Sequence, residues 1–90
     1  MADLKDIEYK ELLEAIVNVK NIDDAKDFLS DLLTIQESEA LGQRVHAANL
    51  LISGMTYQEV TQETKISSAT LARINKCIKY GKGYNKILKK

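Results

Sequence analysis

The sequence predicts a single all-α domain with a helix-turn-helix in its C-terminal half. Apolar residues recur at the three- and four-residue spacing of amphipathic helices, the 90-residue chain contains no proline, and little β-strand alternation occurs. Residue types that cap helix N-termini precede several of these apolar stretches. We expect one domain over residues 1–90, divided into a dimerisation core (1–53), the helix-turn-helix (56–80) and a C-terminal turn or helix (81–90).

Two amphipathic helices are predicted in the first third of the chain. The first carries an apolar stripe at i, i+3, i+4, i+7 and i+8, formed by Tyr9, Leu12, Leu13, Ile16 and Val17. Asn21 is expected to cap the second helix, because its side chain can accept a hydrogen bond from a free amide of the first turn. The apolar side of that helix consists of Ile22, Ala25, Phe28, Leu29, Leu32 and Leu33.

The third helix is predicted to begin at a capping box and to end at a glycine. Thr34 and Glu37 have the spacing of that box, and Gly54 is a natural C-terminal stop. The apolar face between them consists of Leu41, Val45, Ala48, Leu51 and Ile52. A few short helices cannot readily cover three wide apolar stripes in one small chain. We therefore expect a second copy to cover them, with a compact monomeric bundle as the alternative.

Two further helices, short and then longer, follow Gly54. Thr56 and Glu59 form a second capping box, and the short helix is expected to end near Thr64. Ser67 caps the longer helix, which runs towards Tyr80. The segment Gly81-Lys-Gly83 breaks that helix. The last residues are expected to form a helical turn with Tyr84, Ile87 and Leu88 facing inward.

Charge is divided between the two halves of the chain although the total is zero. Residues 1–45 contain 11 acidic and 5 basic side chains, a balance of −6, whereas residues 46–90 contain 2 acidic and 8 basic ones, a balance of +6. No acidic residue follows Glu63. This asymmetry is typical of a chain whose C-terminal half faces a polyanion, and a merely solvated basic tail is the alternative.

The segment MTYQEVTQETKISSATLARI, residues 55–74, fits a helix-turn-helix. Val60, Ile66, Leu71 and Ile74 take its inward positions. Thr61 stands where a small alanine is usual, and threonine is small enough for the tight helix crossing. Lys65 stands where glycine often fills the turn, so we expect either a turn without positive φ or a modest strain cost at this lysine. Two ordinary packed helices are the alternative interpretation.

The exposed positions of this motif are the candidate contacts with double-stranded DNA. Side chains near the N-terminus of the second helix reach base edges when that helix lies in the major groove, and the first helix crosses the backbone. Lysines add sequence-independent attraction to phosphates, and Lys79 is a further candidate of this kind. The predicted DNA-binding residues are Thr56, Tyr57, Gln58, Lys65, Ser67, Ser68, Ala69, Thr70, Ala72, Arg73 and Lys76.

Other classes of function find little support in the sequence. Catalysis is not expected, because no nucleophile–base pair and no glycine-rich phosphate loop is present. His46 and Cys77 are single residues, so we expect no metal site, no cofactor and no internal disulfide. No apolar run is long enough to span a bilayer, and the N-terminus lacks the features of a signal peptide. We expect a cytoplasmic protein.

Residues 28–74 resemble the Trp repressor family, and most of all its Trp-repressor-related (YerC/YecD-type) branch. The most specific block is LLT…EALGQRV, residues 32–45, followed at the expected distance by the helix-turn-helix. The resemblance implies an intertwined homodimer of about six helices per subunit. It also implies a pseudo-palindromic operator whose half-sites lie about one helical turn of DNA apart.

The resemblance further implies a site for a small effector. Leu33 and Thr34 match residues at the amino-acid site of the family, and Arg44 and Arg73 match arginines that hold the ligand. Ile74 stands where tryptophan-binding members have glycine, and Cys77 replaces a serine. We therefore expect any effector to differ from tryptophan. An ordinary ion pair of Arg44 with Glu37, or with an acidic residue of a second copy, is the alternative.

Two functions follow from these observations. The first is a dimeric, sequence-specific DNA-binding regulator of transcription, with repression as the expected direction. The second is a helical module for dimerisation or partner docking that does not recognise a DNA sequence. A freely exposed second helix of the motif favours the first, and a broad apolar groove in its place favours the second.

Overall fold

The computed structural model describes residues 4–89, and within that range every regular element is an α-helix. The predicted all-α fold is confirmed. The ends of the predicted domain, residues 1–3 and residue 90, lie outside the described residues. The helices are α1 (Leu4–Asn18), α2 (Ile22–Leu32), α3 (Ile35–Ile52), α4 (Tyr57–Glu63), α5 (Ser68–Tyr80) and α6 (Gly83–Leu88).

The chain divides into two compact units, residues 1–34 and residues 35–90. The first unit contains α1 and α2. Asn21 caps α2 as predicted, because its side-chain oxygen accepts a hydrogen bond of 2.8 Å from the Asp24 amide. None of residues 5–34 is buried. This unit therefore has no hydrophobic core of its own within the single chain.

The second unit begins with α3, which ends in a Schellman motif at Gly54. The Met55 amide donates to the Leu50 carbonyl and the Gly54 amide donates to the Leu51 carbonyl, both at 3.1 Å. Gly54 has φ +107°, a conformation that side chains rarely adopt. The predicted end of α3 at Gly54 is confirmed. This tight turn allows α4 to begin only three residues later.

The core of the second unit lies where α3, α4 and α5 meet. Partly buried side chains of α3, α5 and α6 pack around it, among them Ile78, Tyr84 and Leu88. The prediction for Ile87 is wrong, because its side chain is 80% exposed. Tyr84 and Leu88, four residues apart, occupy the inward face of α6, and Ile87 lies to one side of it. The buried residues are Ala47, Ala48, Val60, Ile66, Leu71 and Ile74.

Candidate nucleic-acid interface

The first helix of the motif, α4, begins at a complete capping box. The Glu59 amide donates to the Thr56 hydroxyl oxygen and the Thr56 amide donates to a Glu59 carboxylate oxygen, each at 3.1 Å. The pKa of the exposed Glu59 carboxyl lies below its usual value. The larger cause is its hydrogen bond with the Thr56 amide, and the smaller is its interaction with the Thr56 hydroxyl. Two free amide groups at the start of α4 are satisfied in this way, which fixes where the helix begins.

A four-residue turn joins α4 to α5. Within the described residues no residue other than glycine has positive φ, so Lys65 fits this turn without left-handed strain. The Thr64 hydroxyl donates to the Val60 carbonyl at 2.8 Å, and Ile66 is buried just before α5 begins. The turn is therefore anchored at both ends.

The Thr61 hydroxyl is satisfied within its own helix. It donates to the Tyr57 carbonyl one turn earlier, at 2.9 Å. This local bond explains how threonine is tolerated at a position where the motif usually has alanine.

Burial separates the two sides of α5. Leu71 and Ile74 are buried as predicted, together with Val60 of α4. The opposite face of α5 is exposed. Its exposed residues, which we call the α5 ridge, are Ser68, Ala69, Ala72, Arg73 and Lys76.

The N-terminal turn of α5 is held by three hydroxyl groups that also belong to the predicted DNA contacts. The Ser67 hydroxyl oxygen accepts a bond of 3.2 Å from the Thr70 amide, and the same hydroxyl donates to the Thr70 oxygen at 3.0 Å. The Tyr57 hydroxyl donates to the Ser68 carbonyl at 3.0 Å. The cap by Ser67 and a supporting role of Thr70 at the turn were predicted from the sequence, whereas the bond from Tyr57, which joins α4 to α5, was not.

The remaining predicted contacts are exposed on the first helix and the turn. Thr56, Gln58 and Lys65 are exposed, and Tyr57 keeps 40% of its surface accessible. All eleven predicted residues lie between positions 56 and 76, on α4, the turn and α5. Among them only Thr70 is partly buried.

A cavity of about 340 Å³ opens between α3, α5 and α6. Its lining includes the four predicted effector residues that belong to the second unit. The lining residues are Arg44, Arg73, Ile74, Cys77, Thr70 and Tyr84. Neither guanidinium group forms an ion pair or hydrogen bond with the described residues, so the ion pair of Arg44 with Glu37 is absent there, while a pair with an acidic residue of a second copy stays a prediction. The two other predicted effector residues, Leu33 and Thr34, belong to the first unit.

Sequence reasoning missed Tyr84 as part of this cavity. The residue lies on α6, seven positions after Cys77 and beyond the turn at Gly81. The Asn85 side-chain amide donates to the Ile78 carbonyl at 2.7 Å, and this bond ties α6 to α5. No local pattern in the sequence encodes that contact.

A second and more apolar groove of about 450 Å³ adjoins this cavity, because Cys77 and Tyr84 line both. Ile87, exposed in the single chain, lies at this groove. The other lining residues are Val45, Gly81, Gly83 and Leu88.

The described part of the chain offers neither a metal-binding cluster nor a membrane-spanning helix. No group of three or more histidine, cysteine, aspartate or glutamate side chains is placed to hold a metal ion. None of the helices described for residues 4–89 combines the length and the apolarity that a membrane crossing needs.

Similarity to known proteins agrees with this geometry. A family model described as Trp repressor protein matches residues 7–90. The chain is 36% identical to the uncharacterised protein YerC of Bacillus subtilis (strain 168) over 78 residues, which are 87% of this chain and 75% of that protein.

Two solved structures share the fold. A TrpR-like protein from Eubacterium eligens ATCC 27750 has a TM-score of 0.76 and 37% identity, over 87% of this chain and 81% of that one. A candidate Trp repressor from Staphylococcus aureus has a TM-score of 0.81 and 29% identity, over 98% of this chain and 92% of that one.

Proposed function

The chain belongs to the Trp repressor family, and on that premise we propose that it regulates transcription by binding a defined sequence of duplex DNA. The observation that carries the proposal is the exposed α5 ridge on a helix whose other side is anchored in the core. A helix presented in this way can enter the major groove with its N-terminal residues towards the bases. Repression is the expected direction, and the cytoplasm is the expected location.

The roles of individual residues follow from their chemistry. Ser68 and Arg73 carry donors for base edges, and Ala69 and Ala72 are small enough to approach a thymine methyl group. Lys65 and Lys76 supply charge for phosphates, which positions the protein without specifying sequence. The start of α4, with its N-cap Thr56 and with Tyr57 and Gln58, is placed against the DNA backbone or the edge of the groove. Ser67 and Thr70 hold the start of α5 and add further backbone contacts.

Selection of bound duplexes from a random pool at fixed salt tests this function. We expect one enriched motif for the wild-type protein. Arg73→Ala should change the preferred bases, and Lys76→Ala should weaken binding to all sequences alike. Lys26→Ala, on the exposed surface of α2, is the control and should do neither. Absence of any enriched motif, or unchanged binding by both the Arg73 and the Lys76 variants, would exclude the proposal.

We propose that the working unit is a homodimer joined through residues 1–53. The support comes from the first unit, in which none of residues 5–34 is buried and apolar side chains such as Val17 (80%) and Ile22 (84%) are strongly exposed. A 90-residue chain has little other core with which to compensate for such exposure. Two helix-turn-helix motifs related by two-fold symmetry would then require a pseudo-palindromic operator.

Sedimentation equilibrium tests the homodimer. We expect Val17→Asp to convert dimers to monomers, because it places a charge in the interface without touching the core of the second unit. Lys20→Asp, also exposed and close in sequence, should remain dimeric. A wild-type protein that sediments as a monomer at micromolar concentration would contradict this expectation.

We also propose that an effector other than tryptophan binds where Arg44 and Arg73 line the cavity. Two guanidinium groups that have no acidic partner among residues 4–89 suit a carboxylate. Ile74, almost fully buried, occupies volume that a glycine would leave to an indole ring. The family resemblance assigns Leu33 and Thr34 as further effector contacts. Titration calorimetry with a panel of amino acids and aromatic acids, followed by DNA binding in their presence, tests this expectation.

A second candidate function is a protein-interaction module without sequence recognition. The observation that favours it is the apolar groove beside α6, together with exposed Ile87. The random-pool selection separates the two functions, since a module of this kind would enrich no motif and would release DNA at modest salt.

A further inference from the structure

A pair of lysines stands directly after the proposed recognition helix and outside the helix-turn-helix. Lys82 precedes α6 and Lys86 lies within it. Both are exposed, and Lys82 is only two residues beyond the end of α5. We call this pair the turn lysines.

The backbone that carries the turn lysines is tightly held. The Gly81 amide donates to the Cys77 carbonyl at 2.7 Å, and the Asn85 side chain donates to the Ile78 carbonyl at 2.7 Å. A Cβ atom on Gly81 would lie 2.6 Å from the Cys77 carbonyl oxygen, so the close turn depends on glycine. The turn lysines therefore project from a fixed scaffold and not from a loose terminus.

The turn lysines place two positive charges close together. The Lys86 amide donates to the Lys82 carbonyl at 3.0 Å, so the two residues are one helical turn apart and share a side of α6. Like charges at this spacing repel. Neither lysine forms an ion pair with the described residues, and no acidic residue follows Glu63 in the sequence. This repulsion is relieved when a polyanion binds.

We propose that Lys82 and Lys86 bind DNA backbone phosphates beside the bases that α5 reads, as a contact additional to the helix-turn-helix. The inference rests on the proposed function, because it assumes that α5 lies in the major groove. The 13 residues of α5 span about 20 Å, whereas the groove is about 12 Å wide. A helix of this length extends beyond the groove, so the proposal places the C-terminal end of α5 at the phosphates that border it, and the Cα of Lys82 follows that of Tyr80 by at most about 7.6 Å.

The experiment measures the affinity for a duplex as a function of salt. Each phosphate contact contributes a slope of about 0.9 to the plot of log affinity against log salt concentration. We expect the double variant Lys82→Gln/Lys86→Gln to lower the slope by about 1.8 per bound subunit, or about 3.6 for a homodimer on a two-fold site, with the preferred sequence unchanged. The control Lys20→Gln/Lys26→Gln removes the same charge from exposed positions of the first unit and should keep the wild-type slope.

Equal slopes for the wild-type protein and the turn-lysine variant would overturn the inference, as would equal losses in that variant and its control. A variant that loses only resistance to urea, with its slope unchanged, would show that the lysines merely neutralise the C-terminal carbonyls of α5. Failure of the proposed function is a separate result. A wild-type protein without sequence preference would exclude that function, while the slopes on a random-sequence duplex would still test the turn lysines.

Discussion

Tyr57→Phe tests whether the Tyr57 hydroxyl stabilises the helix-turn-helix or contacts DNA. It removes one oxygen, the hydroxyl that donates to the Ser68 carbonyl at 3.0 Å. A net intramolecular hydrogen bond contributes about 0.5–1.5 kcal/mol to stability. This bond is exposed and the Ser68 carbonyl keeps its helical partner, so we expect a loss in the lower half of that range. Such a loss corresponds to a fall in Tm of about 2–8 °C for a domain of this size.

The assay is urea denaturation of the free protein, followed by DNA binding. We expect Tyr57→Phe to lower the urea midpoint and to weaken DNA binding by a few-fold at every salt concentration, because α5 is then less well fixed. Tyr80→Phe is the matched control: Tyr80 is 81% exposed and its hydroxyl has no hydrogen bond with the described residues. An unchanged urea midpoint combined with weaker DNA binding would refute the reasoning and assign the hydroxyl to the DNA backbone.

Three further changes test other parts of the fold by urea denaturation. Leu71→Ala should cost about 2–5 kcal/mol, because the side chain is fully buried among α3, α4 and α5; a loss below 1 kcal/mol would mean that the core is not packed in this way. Gly54→Ala should cost about 1 kcal/mol or more, because φ is +107° there, while Gly42→Ala within α3 should stabilise. Glu59→Gln tests the capping box. The folded pKa of Glu59 is lowered, so its carboxylate stabilises the fold above the ordinary pKa of 4.5 and loses that effect as the pH falls through the folded pKa. The difference in urea midpoint between wild type and Glu59→Gln should therefore shrink from pH 7 to pH 3, and a constant difference would contradict the lowered pKa.

Helix boundaries were predictable from the sequence because they depend on neighbours in the chain. Asn21, Thr56 and Ser67 each cap a helix through a bond to an amide three residues later. Gly54 ends α3 by adopting a conformation that glycine permits. Each of these interactions spans at most five residues, so residue type and spacing suffice to identify it.

Contacts that span longer distances in the chain were not predictable. The bond from Tyr57 to Ser68 joins residues eleven positions apart, and no pattern in the sequence specifies it. Tyr84 lines the cavity, and Ile87 is exposed, because Asn85 and the turn at Gly81 orient α6. The amphipathic pattern of a six-residue helix is too short to fix that orientation.

The assignment of α3 illustrates the same limit. The predicted dimerisation core (1–53) groups α3 with α1 and α2, whereas the compact units separate α3 from them at residue 34. The C-terminal half of α3 supplies Ala47 and Ala48 to the core beneath α4 and α5. Farther towards its N-terminus, Leu41 and Val45 remain substantially exposed. One helix can therefore pack beneath the helix-turn-helix and still offer a surface to a second copy. Composition alone does not show which part of the helix does which.

The hydrogen bonds at the start of α5 limit how the proposed operator can be read. Ser67 donates its hydroxyl proton to Thr70 and Tyr57 donates its own to Ser68, so neither donor remains for a base edge while the motif keeps this geometry. On the α5 ridge only Ser68 and Arg73 then offer side-chain donors near the helix N-terminus, and Arg73 also lines the cavity proposed for an effector. If an effector holds the Arg73 guanidinium, that group cannot also bond a guanine, so effector binding and base preference should be linked through this one side chain. The motif selected with a bound effector should then differ from the motif without it at the position that Arg73→Ala relaxes, and at no other. With so few direct donors, most of the binding free energy must come from phosphate contacts and from the shape of the duplex.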